Sequence, residues 1–190
     1  SIFDDNKKIN LNSYIKNRFI SFGKIKKNKF DLIILSPGIN INKCKLKNFL
    51  KINSKIIYTD LDVFKSFYNN ECITITGTNG KSTTCQLLYE VLKKQGYDVK
   101  LAGNIGYPIL SIKNIKPKSI FVIEASSYQL QYSKIFRSKY SAILNISQDH
   151  LEWHGSKKNY VKSKIKIFKN QTKSDIAFLN DFNLRKLYRN

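Results

Sequence analysis

At 190 residues the chain is long enough for one domain or two small ones built on a real apolar core. No apolar run approaches the length needed to cross a membrane and no signal-peptide segment opens the chain, so membrane insertion is not expected. The formal charge is +21, but all but four of the 34 basic residues are lysine, scattered among Ile, Asn and Tyr; a dedicated nucleic-acid surface shows clustered arginine with interleaved aromatics, so only low-salt polyanion affinity is expected.

Short apolar runs alternate with helical patterns along the whole chain, which predicts an α/β fold. Residues 31–36, Asp-Leu-Ile-Ile-Leu-Ser, predict a buried strand stopped by Pro37-Gly38, then a helix over 43–51 and a second strand over 55–58. A helix over 60–67 is capped by Thr59 or Asp60. The polar pair Asn69-Asn70 marks an expected domain boundary, dividing the chain into 1–69 and 70–190. Strands follow at 72–76, 98–102, 119–124, 141–147 and 175–179, and helices at 83–95, 157–169 and 181–188. Leu87, Leu88, Val91 and Leu92 form the apolar stripe of the first of these helices, which Gly96 ends. The three cysteines, Cys44, Cys72 and Cys85, are far apart and in no C-x-x-C pair, which predicts free thiols in a cytoplasmic protein rather than a disulfide framework or zinc site. The chain opens on Ser1-Ile-Phe and holds no methionine, which reads as a piece of a longer protein.

The most informative stretch is the turn between strand 72–76 and the helix after it, Gly77-Thr-Asn-Gly80-Lys81-Ser82-Thr83. Two glycines let backbone N–H groups close around phosphate oxygens, and a helix N-terminus adds partial positive charge. Lys81 can reach terminal phosphates and the Ser82 hydroxyl can ligate the Mg²⁺ travelling with a nucleotide. The loop is shorter than the usual G-x-x-x-x-G-K-[ST], because Ile75 stands where its first glycine would be.

In an open parallel sheet ligands sit at the carboxyl ends of the strands. Gly77–Ser82, Asn104, Glu124 and Asp149-His150 all fall just past such ends, so four separated segments point at one crevice. Glu124 ends an apolar run, where an unpaired carboxylate is costly; it is either a metal ligand shared with phosphates or a surface acid at a strand end. His150 beside Asp149 is a candidate for metal or phosphate contact, whereas His154 reads as structural. Tyr160 and Lys164 share a helix face, which by itself gives the lysine no role among so many. Asn28-Lys29-Phe30-Asp31 matches the N-K-x-D guanine-reading motif by letters only, since it precedes the phosphate loop.

Taken together, Thr76-Gly-Thr-Asn-Gly-Lys-Ser-Thr-Thr84, Gly103-Asn-Ile-Gly106, Glu124-Ala-Ser-Ser-Tyr-Gln-Leu130, Leu144-Asn-Ile-Ser-Gln-Asp-His-Leu151 and Tyr160-Val-Lys-Ser-Lys164 resemble the Mur ligases. These are the ATP-dependent amide-forming ligases of peptidoglycan precursor synthesis. Ser36-Pro-Gly-Ile39 and Ser126-Ser-Tyr-Gln-Leu130 look most like the branch that adds D-glutamate. The resemblance implies a partial Rossmann-like domain that binds a UDP-substrate, followed by part of a P-loop-type parallel-sheet ATP-binding domain, with an amino-acid-binding C-terminal domain lying beyond this sequence. It also implies that Gly77, Thr78, Asn79, Gly80, Lys81, Ser82 and Thr83 bind ATP, and that Lys81, His150 and Lys164 are catalytic. Two Mg²⁺ would be held through Ser82, Glu124, His150 and Lys164, the last as a carbamylated lysine. Ser36, Asn104, Ser126 and Gln129 would contact UDP-N-acetylmuramoyl-L-alanine, with D-glutamate as second substrate and a monomer as the working form. Ala125 and Tyr128 depart conservatively from the family's usual Leu and Phe. Rival readings are another ligase of the superfamily such as a folylpolyglutamate synthase, a P-loop switch protein, which would need a base-reading motif after the loop, and a basic nucleic-acid-binding protein.

Overall fold

The computed structural model describes residues 22–25 and 27–180; the helix expected over 181–188 lies outside them. The chain divides into two compact units, Ser1–Ile33 with Ile39–Ile57 and Ile34–Gly38 with Tyr58–Asn190. The division falls ahead of the Asp60–Phe67 helix rather than at Asn69-Asn70, because Leu61 and Phe64 of that helix are fully buried in the core of the second unit.

In the first unit Ile25, Ile41, Leu46 and Leu50 are buried, and Phe30 meets Phe49 edge-on at 6.0 Å. The helix expected over 43–51 forms only over Lys47–Ile52. Asn40 explains the late start: its carbonyl accepts from Lys43 and Cys44 and its side chain from Asn42, which commits the backbone to turns. The strands expected over 31–36 and 55–58 shorten to β1 (Ile33–Ile34) and β2 (Ile57–Tyr58), which pair with one another.

The second unit carries a five-stranded sheet of β3 (Cys72–Thr76), β4 (Val99–Gly103), β5 (Ile120–Glu124), β6 (Tyr140–Ile143) and β7 (Ile176–Leu179), in the order β4-β5-β3-β6-β7 and parallel throughout. Ile75 lies opposite both Glu124 and Ala142, and Glu124 opposite Gly103, so the carboxyl ends of four strands line up along one rim. Side chains alternate across the sheet. Phe121 and Ile123 pack with Leu61, Phe64, Leu130 and Phe168 on one face, and Val122 and Ile75 with Cys85 on the other. The Lys81–Lys94 helix covers that second face with Cys85, Leu88, Tyr89 and Leu92. Leu87 and Val91 of the expected stripe point to solvent at 64% and 48% exposure.

One carboxylate organises the joint between the first helix of this unit and the loop ahead of β6. Asp62 is fully buried. Its Oδ2 accepts from the backbone N and the hydroxyl of Thr59, closing the helix start as a capping box. Its Oδ1 accepts from Ser133 Oγ and from the backbone N of Lys134, Ile135 and Phe136, at 2.9 to 3.0 Å. Asp62→Ala strands several buried donors at once. It is expected to lower the unfolding free energy by about 3 kcal/mol or more, measurable by urea denaturation; a loss within about 0.5 kcal/mol, as for a surface change, would show that these donors find other partners.

Candidate active site

The site begins where β3 ends. Thr76 leads into Gly77, and the chain turns through Gly80, whose φ of 80° opens the Lys81–Lys94 helix in a conformation glycine adopts without strain. The first amides of a helix have no intrahelical acceptor, so this terminus presents donors and positive potential to the space beyond the rim. The rest of the loop is held from behind. Asn145, just past β6, accepts from Thr78 N at its carbonyl (3.0 Å) and from Asn79 N at Oδ1 (2.9 Å), and its Nδ2 donates to Asn79 O (3.0 Å). The strand expected to reach Ser147 stops at Ile143 for this reason: Leu144 N still donates to Thr76 O at the end of β3, and from Asn145 on the chain wraps the loop. Lys81 folds back so that Nζ donates to Thr78 O at 2.8 Å.

Glu124, at the end of β5, is 1% exposed. Its Oε2 accepts from Ser82 Oγ at 2.7 Å and its Oε1 from Asn104 Nδ2 at 2.8 Å. Asn104 reaches it because Gly103 lies flat on the neighbouring strand. A Cβ at Gly103 would stand 2.3 Å from the Glu124 carbonyl oxygen, so only glycine permits this approach. Among the described residues the buried carboxylate has polar partners and no ion pair, and it faces the helix terminus beside Lys81.

Lys164 is the second buried charge of the rim, at 2% exposure. Its Nζ donates to Gly77 O at 2.7 Å, lies 3.4 Å from Thr76 Oγ1 and sits 4.7 Å from the centre of the Tyr160 ring. Burial, followed by repulsion from Lys81, pulls its pKa down to about 7, against the smaller attraction of Asp149 and Glu124. Tyr160 is buried as well, and its hydroxyl meets Thr78 Oγ1 at 3.1 Å. Thr78 Oγ1 also accepts from Ser147 N. The phosphate loop, the lysine helix and the segment after β6 therefore meet at one threonine.

His150 stands at a φ of 51°, with Nε2 3.3 Å from Asp149 Oδ2 and its ring 5.0 Å from Tyr128 and 6.2 Å from Tyr160. Lys81, Glu124, His150 and Lys164, predicted from four separate motifs, face one rim. His154 belongs to the packing beneath. It is buried, its Nε2 is 3.0 Å from Ser127 Oγ, and burial pushes its pKa down to about 4, so it is neutral at physiological pH.

The remaining predicted residues occupy two further settings. Ser126 caps the Ser127–Tyr132 helix, and Gln129 completes the capping box while its Nε2 donates to Asp60 Oδ2 at 2.9 Å. Gln129 is buried and fully engaged in these contacts; Asp60 is its anchor. Ser36 is exposed in the 34–38 segment, and the Trp153 indole N–H donates to Gly38 O at 3.3 Å. Asn145, Tyr160 and Asp60 also hold these elements in place, although the sequence assigns none of them a role at the site. Position just beyond β6 was the available signal for Asn145, and nothing local signalled Asp60.

Oxygen donors dominate the rim. Ser82 and Glu124 suit a hard divalent cation that shares its shell with phosphate oxygens and water. Among the described residues no three of His, Cys, Asp and Glu gather into a metal site, and Mg²⁺ held through one or two carboxylates completes its shell with water and phosphate oxygens. Lys164 as an ammonium offers a cation no lone pair.

The family model of the Mur ligase middle domain matches residues 75–190. A UDP-N-acetylmuramoylalanine–D-glutamate ligase of Aquifex aeolicus is 42% identical over 151 residues, covering 80% of this chain and 36% of that protein. Ligases of the same name from Buchnera aphidicola and Rickettsia bellii are 39% and 36% identical, over 88% and 93% of this chain and 38% and 40% of theirs. The chain spans little more than a third of the length of these relatives. Among solved structures, a MurF ligase of Thermotoga maritima in complex with ADP matches with a TM-score of 0.54 at 21% identity, covering 86% of this chain and 40% of that one. A UDP-N-acetylmuramate:L-alanyl-gamma-D-glutamyl-meso-diaminopimelate ligase of Neisseria matches with a TM-score of 0.56 at 14% identity, over 97% and 64%. Both speak to the fold.

Proposed function

Because this chain belongs to the Mur ligase family, we propose that it is the phosphate-handling part of an ATP-dependent ligase that joins D-glutamate to UDP-N-acetylmuramoyl-L-alanine. The names of the relatives support the substrates, and the rim supports the chemistry. The observation that carries the reading is the Ser82–Glu124 hydrogen bond of 2.7 Å at the start of the helix that bears Lys81. It puts a hydroxyl, a buried carboxylate and a lysine where a nucleotide's terminal phosphates would meet a helix N-terminus.

In the proposed reaction an oxygen of the alanyl carboxylate attacks the γ-phosphorus, the bond to the β,γ-bridging oxygen breaks, and ADP leaves. The amine of D-glutamate then attacks the acyl carbon of the resulting acyl phosphate. The C–N bond forms, the C–O bond to phosphorus breaks, and phosphate and a proton depart. Lys81 and the helix amides offset charge on the transferred group. His150 would act where the carboxylate meets the γ-phosphate, and Ser36, Asn104, Ser126 and Gln129 would contact the UDP-substrate. Two Mg²⁺ would fit this reading: Ser82 and Glu124 would hold one, His150 and a carbamylated Lys164 would serve the other, and the ions would neutralise triphosphate charge. Free Cys44, Cys72 and Cys85 support a reducing, cytoplasmic setting.

The test is ADP formation by the protein carried to the length of its relatives, with UDP-N-acetylmuramoyl-L-alanine present and D-glutamate added or omitted. Continuous turnover that requires both substrates, with L-glutamate inactive, is expected. ADP release indifferent to the UDP-substrate would overturn the reading.

A further inference from the structure

We infer that Asn145 is a positioning residue for the phosphate loop, setting the geometry at Asn79-Gly80 on which phosphate binding depends. The inference rests on the nucleotide reading above and deepens it. A side-chain amide is chemically a peptide unit. Asn145 uses it as one, accepting from Asn79 N at Oδ1 (2.9 Å) and donating from Nδ2 to Asn79 O (3.0 Å). Its own carbonyl takes Thr78 N, and Leu144 N donates to Thr76 O. Residues 144 and 145 thereby continue the pairing to the edge of β3 past the point where β3 has ended, with a side chain standing in for the missing strand residue.

The consequence is a division of labour among the loop amides. Those of Thr78 and Asn79 are tied backward to Asn145, so the donors left for an anion are those from the helix start onward. A loop this short has little internal structure to fix its turn. Leu144 closes it from behind: a Cβ on Gly77 would meet Leu144 Cβ at 3.2 Å, and one on Gly80 its Cδ1 at 3.7 Å. Asn145 is itself solvent-exposed, so its two side-chain bonds contribute little to the folded state as a whole. Their effect falls on the loop.

The experiment compares Mg·ADP binding by calorimetric titration for the unsubstituted chain, Asn145→Ala and Asn145→Asp, with melting curves taken without nucleotide. Asn145→Asp keeps the size and the Oδ1 acceptor but turns a second oxygen toward Asn79 O. Both variants are expected to bind Mg·ADP about tenfold more weakly, the loss of about one such contact, while their nucleotide-free melting stays at that of the unsubstituted chain. A merely structural residue would move the melting and the affinity together, and that outcome overturns the inference. So does unchanged affinity in both variants. If the unsubstituted chain shows no binding while Lys81→Ala behaves identically, it is the nucleotide reading that fails, before the variants are compared.

Discussion

Lys81→Ala, in the protein carried to the length of its relatives, is expected to lower kcat for D-glutamate addition by about a thousandfold or more. The figure follows from where charge develops. During phosphoryl transfer negative charge spreads over the equatorial oxygens and the leaving oxygen, and a preorganised cation in a water-poor site stabilises it far better than bulk solvent. Lys81 Nζ donates to the Thr78 carbonyl at 2.8 Å, within the loop it would serve. That bond is worth about 1 kcal/mol, and the variant should therefore melt close to the parent. The split between a large kinetic loss and a small stability loss identifies a group acting on the reacting phosphate. Near-normal turnover with an unchanged melting curve would remove Lys81 from the mechanism.

Much of the site was legible because its residues sit at the ends of strongly patterned strands. Glu124 follows a run of buried β-branched and aromatic residues, and a strand end of that kind in a parallel sheet is a rim position whatever the family. The helix stripe was harder. Leu87, Leu88, Val91 and Leu92 satisfy helical spacing, but so do Cys85, Leu88, Tyr89 and Leu92, and only the docking of Cys85 at 0% exposure decides which faces the sheet. The helices Ser127–Tyr132 and Leu151–His154 are too short to leave a periodic signature. The contacts of Asn145 and Asp60 were silent for a different reason: their partners lie 66 and 69 residues away, and even a position just past a strand end does not tell which distant group a polar side chain reaches. Lys164 is an intermediate case. The Tyr-x-x-x-Lys match singled it out through the family, while its burial depends on the whole Lys157–Ile165 helix settling against the loop.

That burial leads to the other large effect. Lys164→Ala, in the longer protein, is expected to lose activity on the scale of Lys81→Ala and to regain part of it on addition of short-chain carboxylates, which can occupy the space of a carbamate. Carbamylation needs a neutral amine: Nζ attacks the carbon of CO₂, the N–C bond forms and a proton leaves. An ordinary lysine, with a pKa of ~10.4, is almost wholly charged at neutral pH, whereas Lys164 titrates at about 7. In this chain, ¹³C-bicarbonate should therefore give a carbamate resonance whose intensity rises as pH climbs from 6 to 8 and which is absent from Lys164→Ala. Repulsion from Lys81 is the second cause of the low pKa, so Lys81→Ala should shift that rise to higher pH. Stability is linked with the opposite cost. Between pH 7 and ~10 the unfolded chain binds a proton at this lysine that the folded chain does not, so ν_U exceeds ν_N and stability climbs with pH across that window. Below about pH 7 the folded chain carries the full penalty of a buried ammonium. A resonance whose intensity ignores pH, or one that survives Lys164→Ala, would place the carbamate elsewhere or deny it altogether.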